Sequence, residues 1–289
     1  MKLAKLQRGE RTIWAAVTDA GAVDLSSAID GDIRNSLDTD SLKRLADFAA
    51  ERPVDIAAGE LSYASFLPNP EKIICVGVNY TNRNEEYRDG SDLPKYPSLF
   101  IRAPTSFVGH NAPLLRPRES EQLDYEGELA IIVGKGGRRI AKDQALGHVA
   151  GLTLVNEGTL RDWVRHAKFN VTQGKNFDSS GSIGPWMVTA DEFDGFDAIP
   201  VQTRVNGDLR QDDTTASLIF SFADLIAYIS SFTTLKAGDV ISTGTPSGVG
   251  AAMNPPTFLK AGDTVRIAID KLGELRNPVV AEPAETDVF

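Results

Sequence analysis

The 289-residue chain has one cysteine, three histidines and no long apolar run, and each scarcity excludes something. A lone Cys75 cannot form an internal disulfide. It lies in the apolar run at 72–78 and reads as a buried strand residue whose thiol is inert. No stretch approaches the ~18 apolar residues of a membrane span. Residues 1–8 lack the apolar core of a signal peptide, so the chain reads as cytoplasmic and soluble. Basic residues are the minority, 30 against 40 acidic ones, for a net charge of -10. Such a surface repels polyphosphate, which argues against nucleic acid and anionic membranes as partners. An anionic small molecule then needs local positive charge at its site.

What is present divides near residue 68. Residues 1–68 read as a small N-terminal α/β domain. Segments 12–17 and 22–25 form a hairpin about a turn at 19–21, and 41–50 has helical spacing after an Asp/Ser cap. Two prolines in FLPNP at 66–70 mark the boundary. Residues 69–289 carry short β-like runs at 73–78, 129–133, 151–155, 201–205, 240–243 and 264–269, with one buried helix at 221–229. No internal repeat or low-complexity segment is visible. Long amphipathic helices alternating with strands are missing, so the expected class is α+β and β-rich, with a sandwich or barrel-like core.

The most informative segment is DYEGELAIIVG at 124–134. The strand period of two points Glu126 and Glu128 to one face. Such a pair is either a solvated acidic edge or a site for a hard divalent cation, with Mg²⁺, Mn²⁺ or Ca²⁺ favoured over Zn²⁺. A second segment, NEGTLRDW at 156–163, adds Glu157 and Arg161 at a strand end. Lys175 follows in QGKNFD at 173–178, where a plain surface lysine is the alternative. The Gly/Ser/Thr loop at 239–250 offers backbone N–H groups to an anion, but lacks the lysine of a P-loop.

These motifs, with GPW at 184–186 and VNGDLRQ at 205–211, follow one another in the order found in the fumarylacetoacetate hydrolase family, which the chain resembles from about 72 to 277. The resemblance implies that family's mixed β-sandwich or roll core and a homodimer. It implies an Mg²⁺ (or Mn²⁺ or Ca²⁺) ion on Glu126, Glu128 and Glu157, the last standing where an Asp is usual. It also implies Arg161 and Lys175 as substrate-facing cations, Thr245 with Gly244 and Tyr80 at the substrate, and Arg102 in place of a family lysine.

Similar hydrolases activate water with a His-Glu dyad on a lid. Here NYTNRNEE at 79–86 keeps Glu86 but has Arg83 in the histidine's place. Arginine stays protonated and cannot act as a base; it can pin Glu86 or clamp a substrate carboxylate. His110, His148 and His166 remain as substitute bases, as does Glu86 itself. Val164 stands where a glutamine is frequent. The resemblance implies a metal-dependent C–C bond hydrolase acting on a 2-keto or 1,3-diketo acid. The alternatives are decarboxylation, keto-enol isomerisation or hydration, or a degenerate homologue that binds metal without turnover.

Overall fold

The computed structural model describes residues 1–86, 92–168 and 170–283. The chain opens with β1 (Lys2–Arg8), β2 (Arg11–Thr18) and β3 (Gly21–Asp24), followed by α1 (Thr39–Ala50) and β4 (Ile56–Ala57). Next come β5 (Ile73–Val76), α2 (Thr81–Glu85), β6 (Leu99–Ile101), β7 (Phe107–Val108), β8 (Leu114–Arg116) and β9 (Leu123–Asp124). The middle of the chain supplies β10 (Gly127–Val133), β11 (Val149–Asn156), β12 (Thr159–Leu160), α3 (Thr172–Lys175) and β13 (Gly181–Thr189). The last third holds β14 (Pro200–Val205), β15 (Asp208–Thr214), α4 (Phe222–Phe232), β16 (Val240–Ser242), β17 (Thr264–Ile269) and β18 (Gly273–Ala281).

Among the described residues, eleven strands make one mixed sheet, ordered β4-β3-β2-β1-β13-β11-β10-β16-β5-β6 with β7 beside β13. A second sheet runs β15-β14-β17-β18-β8, and β9 with β12 forms a short separate ladder. The fold is β-rich α+β, as expected. The proposed boundary falls in an irregular connector after β4. The front section's strands nevertheless extend the large sheet, because β1 pairs antiparallel with β13. No described helix is long and apolar enough to cross a membrane.

Strand β10 shows why the sequence folds this way. Leu129, Ile131 and Val133 pack with α4 and β17 on one face of the sheet. Ala130 and Ile132 face Leu3, Leu42 and Leu45 of the front section together with Val240. Both faces are covered, so β10 reads as a continuous apolar run instead of an alternating one. Asp38 caps α1 by accepting the Ser41 N–H at 3.0 Å, and Ser221 with Asp224 forms a capping box on α4; each offsets N–H groups that a helix start leaves unpaired. Cys75 is fully buried and its thiol is pushed up by that burial, which keeps it out of chemistry.

Truncating Ile131 to alanine should lower stability by about 2–5 kcal/mol in urea unfolding, the cost of a cavity in a closed core. A loss no larger than a surface change gives, about 0.5 kcal/mol, would place β10 outside the core.

Candidate active site

The site forms where two ladders meet. Gly127 lies opposite Asn156 in the β10–β11 ladder, and Asp124 lies opposite Thr159 in the β9–β12 ladder. The register is continuous across the gap, so Glu126 stands opposite Glu157. Their backbones join there, with the Glu157 N–H donating to the Glu126 carbonyl at 2.8 Å. The strand period then brings Glu128 to the same face, and one carboxylate oxygen from each of the three lies within 4.8 Å of the others. Two glycines are fixed by contacts on the opposite side. A Cβ on Gly127 would meet Thr203 Oγ1 at 2.0 Å, and one on Gly158 would meet the Ser180 carbonyl at 1.8 Å.

Carboxylates facing one another across a sheet repel unless something offsets the charge. All three are buried, with Glu126 4% exposed and Glu128 and Glu157 1% each. Lys175 Nζ bridges two of them, 2.8 Å from Glu126 and 2.6 Å from Glu157. Arg161 lies 2.6 Å from Glu126 and is held by Asp124 at 2.8 Å. Arg102 reaches Glu157 at 3.1 Å. Among the described residues Glu128 has no cation within ion-pair distance, and it takes Ser242 Oγ at 2.6 Å and the Gly244 N–H at 2.9 Å.

The titration directions follow from this wiring. Burial would raise Glu126, but Lys175 and Arg161 outweigh it and hold the carboxyl well below its usual range. Burial, reinforced by Glu157 and Glu126, pushes Glu128 well up. Burial also pushes Glu157 up to about 7 against the pull of Lys175. Burial would lower Lys175, but the two carboxylates raise it instead, so it stays an ammonium. Two buried carboxyls under such pressure, in a donor set of oxygen alone, suit a hard divalent cation.

A cavity of about 680 Å³ reaches the trio at Glu126 and is lined also by Arg83, Glu86, Arg161 and Lys175 with Phe100. Glu86 is ion-paired with Arg83 and accepts the Gly248 N–H at 2.6 Å. Of the two roles weighed for Arg83, pinning Glu86 is the one seen. Val164 also lines the cavity.

Four other expected substrate contacts do not line it. Arg102 is sealed in the interior on Glu157, Ser106, Gly158 and Ser180, where it positions a carboxylate. Gly244 spends its N–H on Glu128. The Thr245 hydroxyl donates to the Gly127 carbonyl at 3.0 Å and accepts from Gln211 at 2.8 Å. Tyr80 is fully buried, and its hydroxyl meets no hydrogen-bond partner among the described residues.

The three histidines are not on the cavity wall either. His110 accepts the Arg276 N–H at 3.1 Å, His148 contacts the Lys135 carbonyl at 2.6 Å, and His166 packs on Trp163. None is placed to serve as the substitute base.

Asp124 had been given no role from the sequence. It is fully buried and takes the Gly250 and Ala251 N–H groups at 2.8 and 2.9 Å besides Arg161. The signal was available in the alternation Asp124-x-Glu126-x-Glu128. Gln211 was likewise only part of a motif, and it ties Gly127 to the 245–246 turn.

Comparison with known proteins fits this geometry. The family model described as fumarylacetoacetate (FAA) hydrolase C-terminal matches residues 72–280. Oxaloacetate tautomerase YisK of Bacillus subtilis (strain 168) is 37% identical over 96% of this chain and 93% of its own length. The mitochondrial oxaloacetate tautomerase fahd2 of Xenopus laevis is 42% identical over 78% of this chain and 70% of its own. The crystal structure of maleylpyruvate hydrolase from Sphingobium sp. SYK-6, in complex with manganese (II) ion and pyruvate, superposes with a TM-score of 0.81 at 28% identity. It covers 98% of this chain and 100% of that one. These likenesses support an enzyme with a divalent-metal site, but they correct the expected reaction. The two relatives matched by sequence are tautomerases, so C–C bond hydrolysis is not the activity to expect. Arg83 on the cavity wall is a fixed cation and cannot act as a base toward water.

Adding Mn²⁺ should raise the melting temperature of the protein, by an amount equivalent to about 2.7 kcal/mol at a hundredfold excess over Kd. Glu126→Ala should abolish the shift in differential scanning fluorimetry. A shift of wild-type size in that variant would remove Glu126 from the ligand set.

Proposed function

Given that the chain belongs to the fumarylacetoacetate hydrolase family, we propose that it is a metal-dependent keto-enol tautomerase acting on oxaloacetate or a close 2-keto acid. The observation that carries the reading is the Arg83–Glu86 pair on the cavity wall, beside the near-full-length similarity to a tautomerase. Tautomerisation moves a proton and breaks no C–C bond. It therefore needs one base facing the substrate carbon and no activated water.

In this reading Glu126, Glu128 and Glu157 hold an Mg²⁺ ion, with Mn²⁺ or Ca²⁺ as substitutes. Bound there, the ion supplies a Lewis acid that stabilises negative charge on the substrate's oxygens. Arg161 and Lys175 face the same cavity and supply the positive charge that an acidic chain otherwise lacks. Lys175, kept protonated by its carboxylate neighbours, acts as a fixed cation. Among the described residues Glu86 is the carboxylate on the cavity wall outside the ligand trio. It takes a proton from C3 of the keto form as the C2 oxygen gains one to give the enol. In the reverse direction it returns the proton to C3 as that oxygen loses its own, while Arg83 and the Gly248 N–H hold its orientation. Phe100, whose ring lies 4.9 Å from Lys175 Nζ, narrows water access beside that cation. The partner is thus a small keto acid, and the assembly is the homodimer implied by the family.

The test follows the ultraviolet absorbance of enol oxaloacetate and records product masses. The wild-type protein should interconvert the two forms with no change in mass. Glu86→Gln should lower kcat by about 10²–10⁴-fold, the contribution of a positioned general base. Accumulation of pyruvate as the main enzymatic product would replace the tautomerase with a decarboxylase.

A further inference from the structure

Among the described residues four cationic side chains line the cavity, and three of them are committed to carboxylates of the chain itself. Arg161 is bound to Asp124 and Glu126, Lys175 to Glu126 and Glu157, and Arg83 to Glu86. Arg165 differs. It is exposed at the end of the 3-10 turn Trp163–Arg165, and among the described residues its guanidinium makes no ion pair or hydrogen bond. Arg161 and Arg165 line the same cavity from either end of that turn. Asn170 also lines the cavity. Its Oδ1 accepts the Thr172 N–H at 3.0 Å, which leaves the Asn170 amide NH₂ as a donor. The nearby wall positions Val164, Val249 and Ala251 are apolar and offer an anion nothing.

We propose that Arg165 is a specificity-determining residue that binds the distal carboxylate of a dicarboxylic 2-keto acid, with the Asn170 amide as a second donor. This rests on the keto-acid reading above. The head of such a substrate, its 2-keto acid group, falls to the acidic trio with Arg161 and Lys175. Its far end is a second anion, and an ionised carboxylate is costly to desolvate without a paired cation. A guanidinium meets that need with two parallel hydrogen bonds. Because Arg165 has no carboxylate partner among the described residues, it can bind the substrate without competing with an existing pair, whereas each of the other three cations already holds an internal carboxylate. A monocarboxylic 2-keto acid gains nothing from Arg165, so the residue selects by charge at the far end.

The test compares oxaloacetate with pyruvate, which share the 2-keto acid head and differ in the distal carboxylate. Both are titrated calorimetrically into Mg²⁺-loaded full-length protein and into Arg165→Gln, an exposed change that leaves the buried site intact. Wild-type protein should prefer oxaloacetate. Arg165→Gln should lose about 10- to 100-fold in affinity for it, the range for a charged hydrogen-bonded contact. Pyruvate binding should be unchanged, and Arg165→Lys should restore part of the preference. Equal losses for both ligands, or no loss for oxaloacetate, would overturn the assignment. An oxaloacetate-selective loss in a protein with no tautomerase turnover would keep Arg165 in this role and remove the tautomerase reading. Turnover with an unchanged KM in Arg165→Gln would do the reverse.

Discussion

Three carboxylates packed within 4.8 Å of one another in the interior repel, and much of the surrounding structure acts to offset that repulsion. Lys175 arrives from α3, Arg161 from just beyond β12, Arg102 from just beyond β6, and the Ser242 and Gly244 donors from the end of β16. These four stretches of chain converge on the carboxylates through ion pairs and hydrogen bonds. Removing one partner of a buried pair leaves an uncompensated ion, at a cost of about 3–5 kcal/mol. The site's electrostatics and the fold's integrity are therefore one problem.

The large sheet makes that convergence possible. Its central strands carry a core on each face, so β10 and β11 cannot slide without exposing apolar side chains. Their register is what sets Glu126 against Glu157. Gly127 and Gly158 let a neighbouring side chain and backbone approach the strand ends from behind, and bulk at either position would force the carboxylates apart.

The cavity has two chemically different regions. Its floor is buried and saturated with internal ion pairs, which keeps Lys175 and Arg161 charged and fixed in place. Its wall and mouth carry the Arg83–Glu86 pair and the uncommitted Arg165. A fold does not by itself dictate chemistry, so the reaction is set by the groups on the wall as much as by those on the floor. A guanidinium at position 83 stays protonated, so the wall there can orient Glu86 but cannot take a proton from water.

Much of this was legible in the residues, for physical reasons that differ from case to case. The run at 129–133 and the capped helix after Ser221 declare themselves through apolar pattern and cap chemistry, while β1 is concealed because Lys5 and Gln7 interrupt its alternation. Arg102, Thr245 and Tyr80 were recognisable as site-associated, but residue type does not say whether a polar side chain faces a cavity or braces a neighbour. The strand period alone determined that Glu126 and Glu128 share a face, because alternation is a local property of extended backbone. Tertiary structure decided that Glu157 completes the trio and that Lys175 neutralises it, because cross-strand register and side-chain reach depend on parts of the chain that sequence spacing does not connect.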